Sequence, residues 1–366
     1  MRRPLLLLAA SIALCQAVPV ARGGGTLYFV NSTGDAPLVG SSNFCDSDPG
    51  TPGEQCTLRA AIQASNLHIG DDGIEFAIPA SDPNFDPATG RATIKLGSAL
   101  PALAEGVSIA GPGASSLTVR RETSVEFRIF PVTTGGSVSL SGMTITNGSA
   151  GNPTHGGGAE NTNAGTLSII GCVVSDSFGS ECGGIHNNST GTLNVTNSTV
   201  SGNGSDVNGG ILNRSTGTVN VLNSAITVNR SFRFGGAGIY NRGTGTVNIT
   251  DSFIANNESG NRGSGGIKND GSGTVNVTRS TISNNFDSFD KGGGIYIGNG
   301  TVNITASTVS RNTAKGGGGI FNLAGSLIIT NSTVSQNAST TDNGGGGGLR
   351  NEGSVPSATA HFSVIQ

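Results

Sequence analysis

From residue 156 onward the chain repeats one phrase of apolar and polar positions. Gly183-Gly184-Ile185-His186-Asn187 opens a unit, Gly191-Thr192-Leu193-Asn194-Val195-Thr196 continues it, and Ser198-Thr199-Val200-Ser201 leads to Asn203. The opening phrase ends at Asn161, Asn187, Asn213, Asn241, Asn269, Ile297, Asn322 and Asn351, in steps of 25 to 29 residues. A period of this size means a solenoid or array. Within each phrase apolar and polar residues alternate, as in Val219-Asn220-Val221 and Val247-Asn248-Ile249. Period two is a strand with one face in and one face out. The segments are short and rich in Val, Ile and Thr, as strands are. No 3.6-residue pattern lies between them, so crossover helices have no room. Three short strands per turn, bent at Gly and Asn, describe one coil of a parallel β-helix.

Stacked coils place equivalent residues in columns. Val200, Ile226, Ile254, Ile282, Val309 and Val334 form one inward column, and three residues on come Asn203, Asn229, Asn257, Asn285, Asn312 and Asn337. Asn tolerates a left-handed backbone and can bond its own copy in the next coil, so these predict an asparagine ladder at a turn. Ser198, Ser224, Ser252, Ser280, Ser307 and Ser332 form another column, with Cys172 in the coil before. The paired Gly are expected at corners needing positive φ.

The regular coils are preceded by irregular ones. Strands are expected at 74–78, 92–96, 107–109, 117–119 and 138–145, with a loop at 79–90. Before them, Leu58, Ala61 and Ile62 fall at helical spacing on one face. Such a helix would blunt the open edge of the first coil, with Arg59 pointing outward. No matching cap follows at the C-terminus. There the sequence suggests either a fragment or a last edge covered by something else.

Composition narrows the class. Of 366 residues, 60 are Gly, 12% are charged, 5% are aromatic and none is Trp. Glycine is not spaced every third residue, so this is not collagen. No basic excess points to nucleic acid. Met1-Arg2-Arg3, the apolar run Pro4–Leu14 and Cys15-Gln16-Ala17 read as a signal peptide over residues 1–17. The run is too short to span a bilayer, and no other segment would cross one. Export implies a secreted or cell-surface protein, with a net charge of −3 that becomes more acidic when Arg2 and Arg3 leave. Four Cys remain, and the close pairs Cys45/Cys56 and Cys172/Cys182 are the simplest of three disulfide connectivities.

The coils resemble the right-handed parallel β-helix repeats of bacterial surface and secreted proteins, including pectate-lyase-like proteins and the polymorphic outer-membrane-protein type with its Gly-Gly-x-Ile motif. The segment Cys56-Thr57-Leu58-Arg59-Ala60-Ala61-Ile62-Gln63-Ala64-Ser65-Asn66 resembles the signature of the bacterial CSLREA-domain family. It matches at Cys, Leu, Arg, Ala, Ile and Asn, and departs from it at Thr57, Ala60 and Ser65. Signature and coils together span nearly all of the mature chain. The resemblance implies the architecture and no defined activity.

Candidate chemistry is sparse. The four His, at 68, 155, 186 and 361, sit in no metal-ligand motif, so no metal or cofactor is expected. β-Helix enzymes that cleave polysaccharides use clustered carboxylates, and the repeat acids Asp206, Asp251, Glu258, Asp270, Asp287 and Asp290 are scattered. Only Asp287 and Asp290 lie within one loop. The best binding candidate is the column between the repeat Ile and Asn: Glu160, His186, Leu212, Tyr240, Lys268, Tyr296, Phe321 and Arg350. The column is read as facing outward, so Tyr240, Lys268, Tyr296 and Phe321 could form a strip facing sugar rings, or a surface ladder that stiffens the sheet.

The expectation is therefore all-β: a right-handed parallel β-helix solenoid of roughly ten coils with a short N-terminal capping helix. Its parts are the leader 1–17, a cap region 18–73 and coils over 74–366. The expected function is an adhesin-like, non-catalytic scaffold at or beyond the cell surface that binds glycans or surface partners. The alternatives are a polysaccharide lyase or glycoside hydrolase, and a passenger fragment of an outer-membrane protein.

Overall fold

The computed structural model describes residues 24–40, 44–151, 155–260, 263–288, 291–340, 346–352, 357–361 and 364–365. The leader and Asp290 lie outside the described residues. The chain forms a parallel β-solenoid of about nine turns. Each regular coil crosses four faces rather than three. Ile185–Asn187 belongs to the first face, of nine strands, and Thr192–Thr196 to the second, of twelve. Thr199–Ser201 belongs to the third, also of twelve, and Gly204–Ser205 to the fourth, of eight. The fourth strand is only two residues long, too short to display an alternation. Among the described residues all strand pairings are parallel except that of Phe85–Asp86, inside the expected loop, with Arg91–Leu96. Leu27–Val30 adds an unanticipated strand at the N-terminal end of the second face.

The core is the stack of inward columns. Val200, Ile226, Ile254, Ile282, Val309 and Val334 are fully buried, as are Val195, Val221, Ile249, Val277 and Ile304. Two amide ladders line the interior. Asn203 Nδ2 donates to Asn229 Oδ1 at 3.0 Å, and the same bond recurs at each coil to Asn337. A second ladder runs Asn161–Asn187–Asn213–Asn241–Asn269. Ile297 interrupts it, and Asn269 turns to the backbone oxygens of Asn299 and Thr301 instead. The serine column forms a third series, with each backbone N–H bonding the next Ser Oγ at 3.0–3.1 Å, beginning with Cys172 N to Ser198 Oγ.

The glycine expectation holds at Gly156, Gly292 and Gly317, where φ is positive, and is corrected at the pair itself. Gly184, Gly210, Gly238 and Gly266 have no positive φ; a Cβ there would lie 2.3–2.6 Å from a carbonyl oxygen of the next coil. The phrase needs Gly for close coil-to-coil approach. One series of left-handed turns falls one residue before each ladder Asn, at Gly202, Val228, Asn256, Asn284, Arg311 and Gln336, and a second one residue before each member of the serine column, at Gly171, Asn197, Asn223, Asp251, Arg279, Ala306 and Asn331.

The cap helix spans Leu58–Leu67 and packs on the first two strands of the second face. Thr57 caps it, its Oγ1 accepting from Ala60 N at 3.0 Å. Cys45 and Cys56 form a disulfide beside it. Arg59 does not point outward. It is buried, with Nε on Asp35 Oδ1 at 2.9 Å, Nη2 on Asp35 Oδ2 at 3.0 Å and further bonds to the carbonyls of Ser98 and Ala99. Loops distant in sequence enclose it, which the local pattern cannot show. No helix among the described residues is long and apolar enough to cross a membrane.

Candidate functional site

The residue between Ile and Asn on the first face does point away from the core, because its two neighbours point in. Strand register then stacks Glu160 on His186, His186 on Leu212, Leu212 on Tyr240, and so on through Lys268, Tyr296 and Phe321 to Arg350. All four residues of the expected strip are thus neighbours in one column. The column is not an open surface, however. Tyr240 is 5% exposed, Lys268 7% and Phe321 0%; only Tyr296 is half-buried. Connections entering the first face from the fourth fold over it. Lys268 Nζ donates to Phe234 O at 3.0 Å, and Val207 packs on Cys182, Leu212 and Tyr240.

The C-terminal half of the column is a cation–aromatic stack. Lys268 Nζ lies 5.2 Å from the Tyr240 ring centroid and 5.3 Å from that of Tyr296. Tyr296 and Phe321 stack with centroids 5.7 Å apart and planes 2° apart. Lys291 Nζ lies 4.6 Å above Phe321, and the Arg350 guanidinium 5.8 Å from it. Tyr240 Oη donates to Asp270 Oδ2 at 3.2 Å, and burial, together with that carboxylate, raises the phenol well above its ordinary range. Rings and cations of successive coils thus pack against one another in a single column along the solenoid.

The N-terminal half is a polar cluster that sequence reading missed as a unit. Glu160 is buried between Arg128, which pairs with its Oε2, and His186, whose Nδ1 lies 3.0 Å from Oε1. Burial alone would raise the Glu160 carboxyl, but His186 and Arg128 bring it below the ordinary value. Burial lowers His186 more than Glu160 raises it, so the imidazole is held neutral against an ionised carboxylate. His155 stands edge-on to His186 with centroids 5.8 Å apart and Nδ1 3.9 Å from Glu181. Glu181 also receives Arg214 at 2.9 Å and Arg242 at 3.5 Å. Glu160 and His186 were visible as column members. Arg128, His155 and Glu181 sit outside the regular phrase, where no offset marks them.

The remaining site expectations resolve as follows. Cys172 and Cys182 are free, buried thiols. Cys172 stands in the inward serine column, while Cys182 packs outside the first face with Leu212 and Tyr240. Being on opposite sides of the wall, they do not pair. Three of the scattered acids pair with cations of a neighbouring coil, Asp206 with Arg233, Asp251 with Arg279 and Glu258 with Arg230, and Asp270 pairs with Lys268 of its own coil. Asp287 is buried on the fourth face. Among the described residues no group of three or more His, Cys, Asp or Glu has a metal-holding arrangement.

What remains accessible is the rim of the first face. Arg214 and Arg242 side chains are 36% and 44% exposed, and Asp270, Lys291, Arg350 and Glu352 are partly open beside them. The rim offers fixed hydrogen-bond donors and acceptors above a rigid ring ladder. Comparison of the chain with protein-family models, curated proteins and solved structures returns no match.

Proposed function

We propose that the protein is an exported, surface-displayed β-solenoid scaffold that binds glycans without cleaving them, using the rim of the first face. The observation that carries this reading is the column from Glu160 to Arg350. There aromatic rings, cations and carboxylates stack in register, with Arg214 and Arg242 open above them. Each of these guanidiniums is anchored on Glu181 and keeps further donors for a sugar hydroxyl or carboxylate. The signal-like Met1–Ala17 and the resemblance of Cys56–Asn66 to the CSLREA signature support export. The right-handed β-helix resemblance supports a surface role.

A second reading, polysaccharide lyase or hydrolase, is favoured by one observation only. Glu160 and Glu181 are gathered on one face with His155 and His186. Against it, Glu160 and His186 are closed off beneath the cluster. The test is chromatography of neutral and acidic polysaccharides after incubation with the purified chain. Intact polymer should co-elute with protein, and Arg214→Ala with Arg242→Ala should abolish co-elution. Shortened polymer, lost in Glu181→Gln, would replace this reading with the catalytic one. No co-elution with any polymer would remove it.

A further inference from the structure

The outward side of the second face carries a different feature. Eight strands, from Ser137–Ser141 to Ser326–Thr330, stack in register there and present three outward columns. The first column has a hydroxyl on every rung from Ser137 to Ser326, with Thr on the six between. The middle column has Asn194, Asn220, Asn248, Asn276 and Asn303 on consecutive rungs. The third has Thr on five of its eight rungs, including Thr250 and Thr278. No position in this grid is charged, although soluble surfaces ordinarily carry about a quarter to a third charged residues.

The grid is also rigid. Asn220 donates to Asn194 at 2.9 Å, Asn248 to Asn220 at 2.9 Å, Asn276 to Asn248 at 2.8 Å and Asn303 to Asn276 at 2.8 Å. These amides lock one another, and among the described residues the hydroxyls of Thr218, Thr246 and Thr274 have no side-chain partner. Rungs repeat every ~4.8 Å and columns every ~6.6 Å, so the grid spans roughly 34 by 13 Å.

The ligand follows from charge, chemistry and area. An uncharged face selects an uncharged partner. It holds no aromatic ring, so a sugar finds no stacking platform there. Its area, roughly 450 Å², is about half of the ~800 Å² per partner that a stable dimer buries. A fixed two-dimensional array of hydroxyls and methyls matches a partner that is itself periodic and hydrogen-bonded throughout. We infer that the second face binds ice: Thr hydroxyls and Asn amides anchor ordered water, and Thr methyls fill the spaces between. This inference is independent of the glycan reading, which rests on the other face.

The test freezes a dilute solution of the purified full chain slowly onto a cooled probe, beside a globular control protein. The chain should be enriched in the ice fraction relative to the control and should slow ice recrystallisation. Thr250→Arg with Thr278→Arg should fall to the control level at an unchanged melting temperature, while Arg214→Ala with Arg242→Ala keeps the enrichment. Should the arginine pair unfold the chain, Thr250→Ser with Thr278→Ser gives the reading, because losing the methyls lowers incorporation while the hydroxyls stay. Exclusion of the wild type from ice to the control level overturns the inference. So does incorporation that these variants leave unchanged. A dimer in sedimentation equilibrium that the arginine pair dissociates, or pelleting with crystalline cellulose in place of ice incorporation, also overturns it.

Discussion

Val228 holds a backbone angle that its side chain resists. Its φ is 59°, in the left-handed region, where Gly202, Asn256 and Asn284 occupy the equivalent turn of other coils. A β-branched residue there costs about 1–2 kcal/mol. Val228 is exposed, so little packing is lost on replacement. Val228→Asn should raise stability by about 1 kcal/mol, seen as a higher melting temperature; a lower one would refute the strain. His186 makes the second residue-scale prediction. Its pKa is lowered on folding, so below the ordinary value of 6.5 the unfolded chain takes up a proton that the folded chain refuses. Stability therefore falls as pH drops below that value, by at most about 1.4 kcal/mol per pH unit from this one group. Glu160, lowered as well, adds a loss in the same direction below the ordinary carboxylate value of 4.5. Thermal melts between about pH 7 and 5 should slope downward with acid, and His186→Leu should flatten that slope. The residue scale also shows what was legible. The ladder asparagines share one offset in every coil, so their contacts follow from register alone. Glu181 shares no offset with anything, and only the fold brings Arg214 and Arg242 to it.

Among elements, the cap helix depends most on a single interaction. Arg59 is buried and held by both carboxylate oxygens of Asp35. Asp35→Ala leaves that cation buried without its counter-ion, a change worth about 3–5 kcal/mol. Because solenoid coils contact mainly their neighbours, the damage should be local. Hydrogen exchange should show lost protection over the helix and the strands Leu27–Val30 and Asp72–Phe76, with the coils beyond Thr166 unchanged. Uniform loss along the chain would show that the cap governs the whole stack. The helix itself was readable from Leu58, Ala61 and Ile62. The inward turn of Arg59 was not, because its partners lie 24 to 40 residues away. The fourth strand of each coil also escaped notice, since two residues cannot reveal a period of two.

On the scale of the whole molecule, one repeat unit serves several surfaces at once. The same 27-residue phrase builds an apolar axis, a closed ring-and-cation column on the first face and an uncharged grid on the second. The direction of the amide ladders has a further consequence. In both interior ladders the donor always belongs to the earlier coil and the acceptor to the later one. On the outside of the second face the direction is reversed. Each amide is a dipole, and aligned dipoles reinforce one another along a row. The interior rows therefore polarise the solenoid lengthwise, positive toward its C-terminal coils, with an opposed row on its skin. The two ends of the molecule are electrically unlike even where their side chains repeat, and an approaching ion or a second solenoid meets a different potential at each.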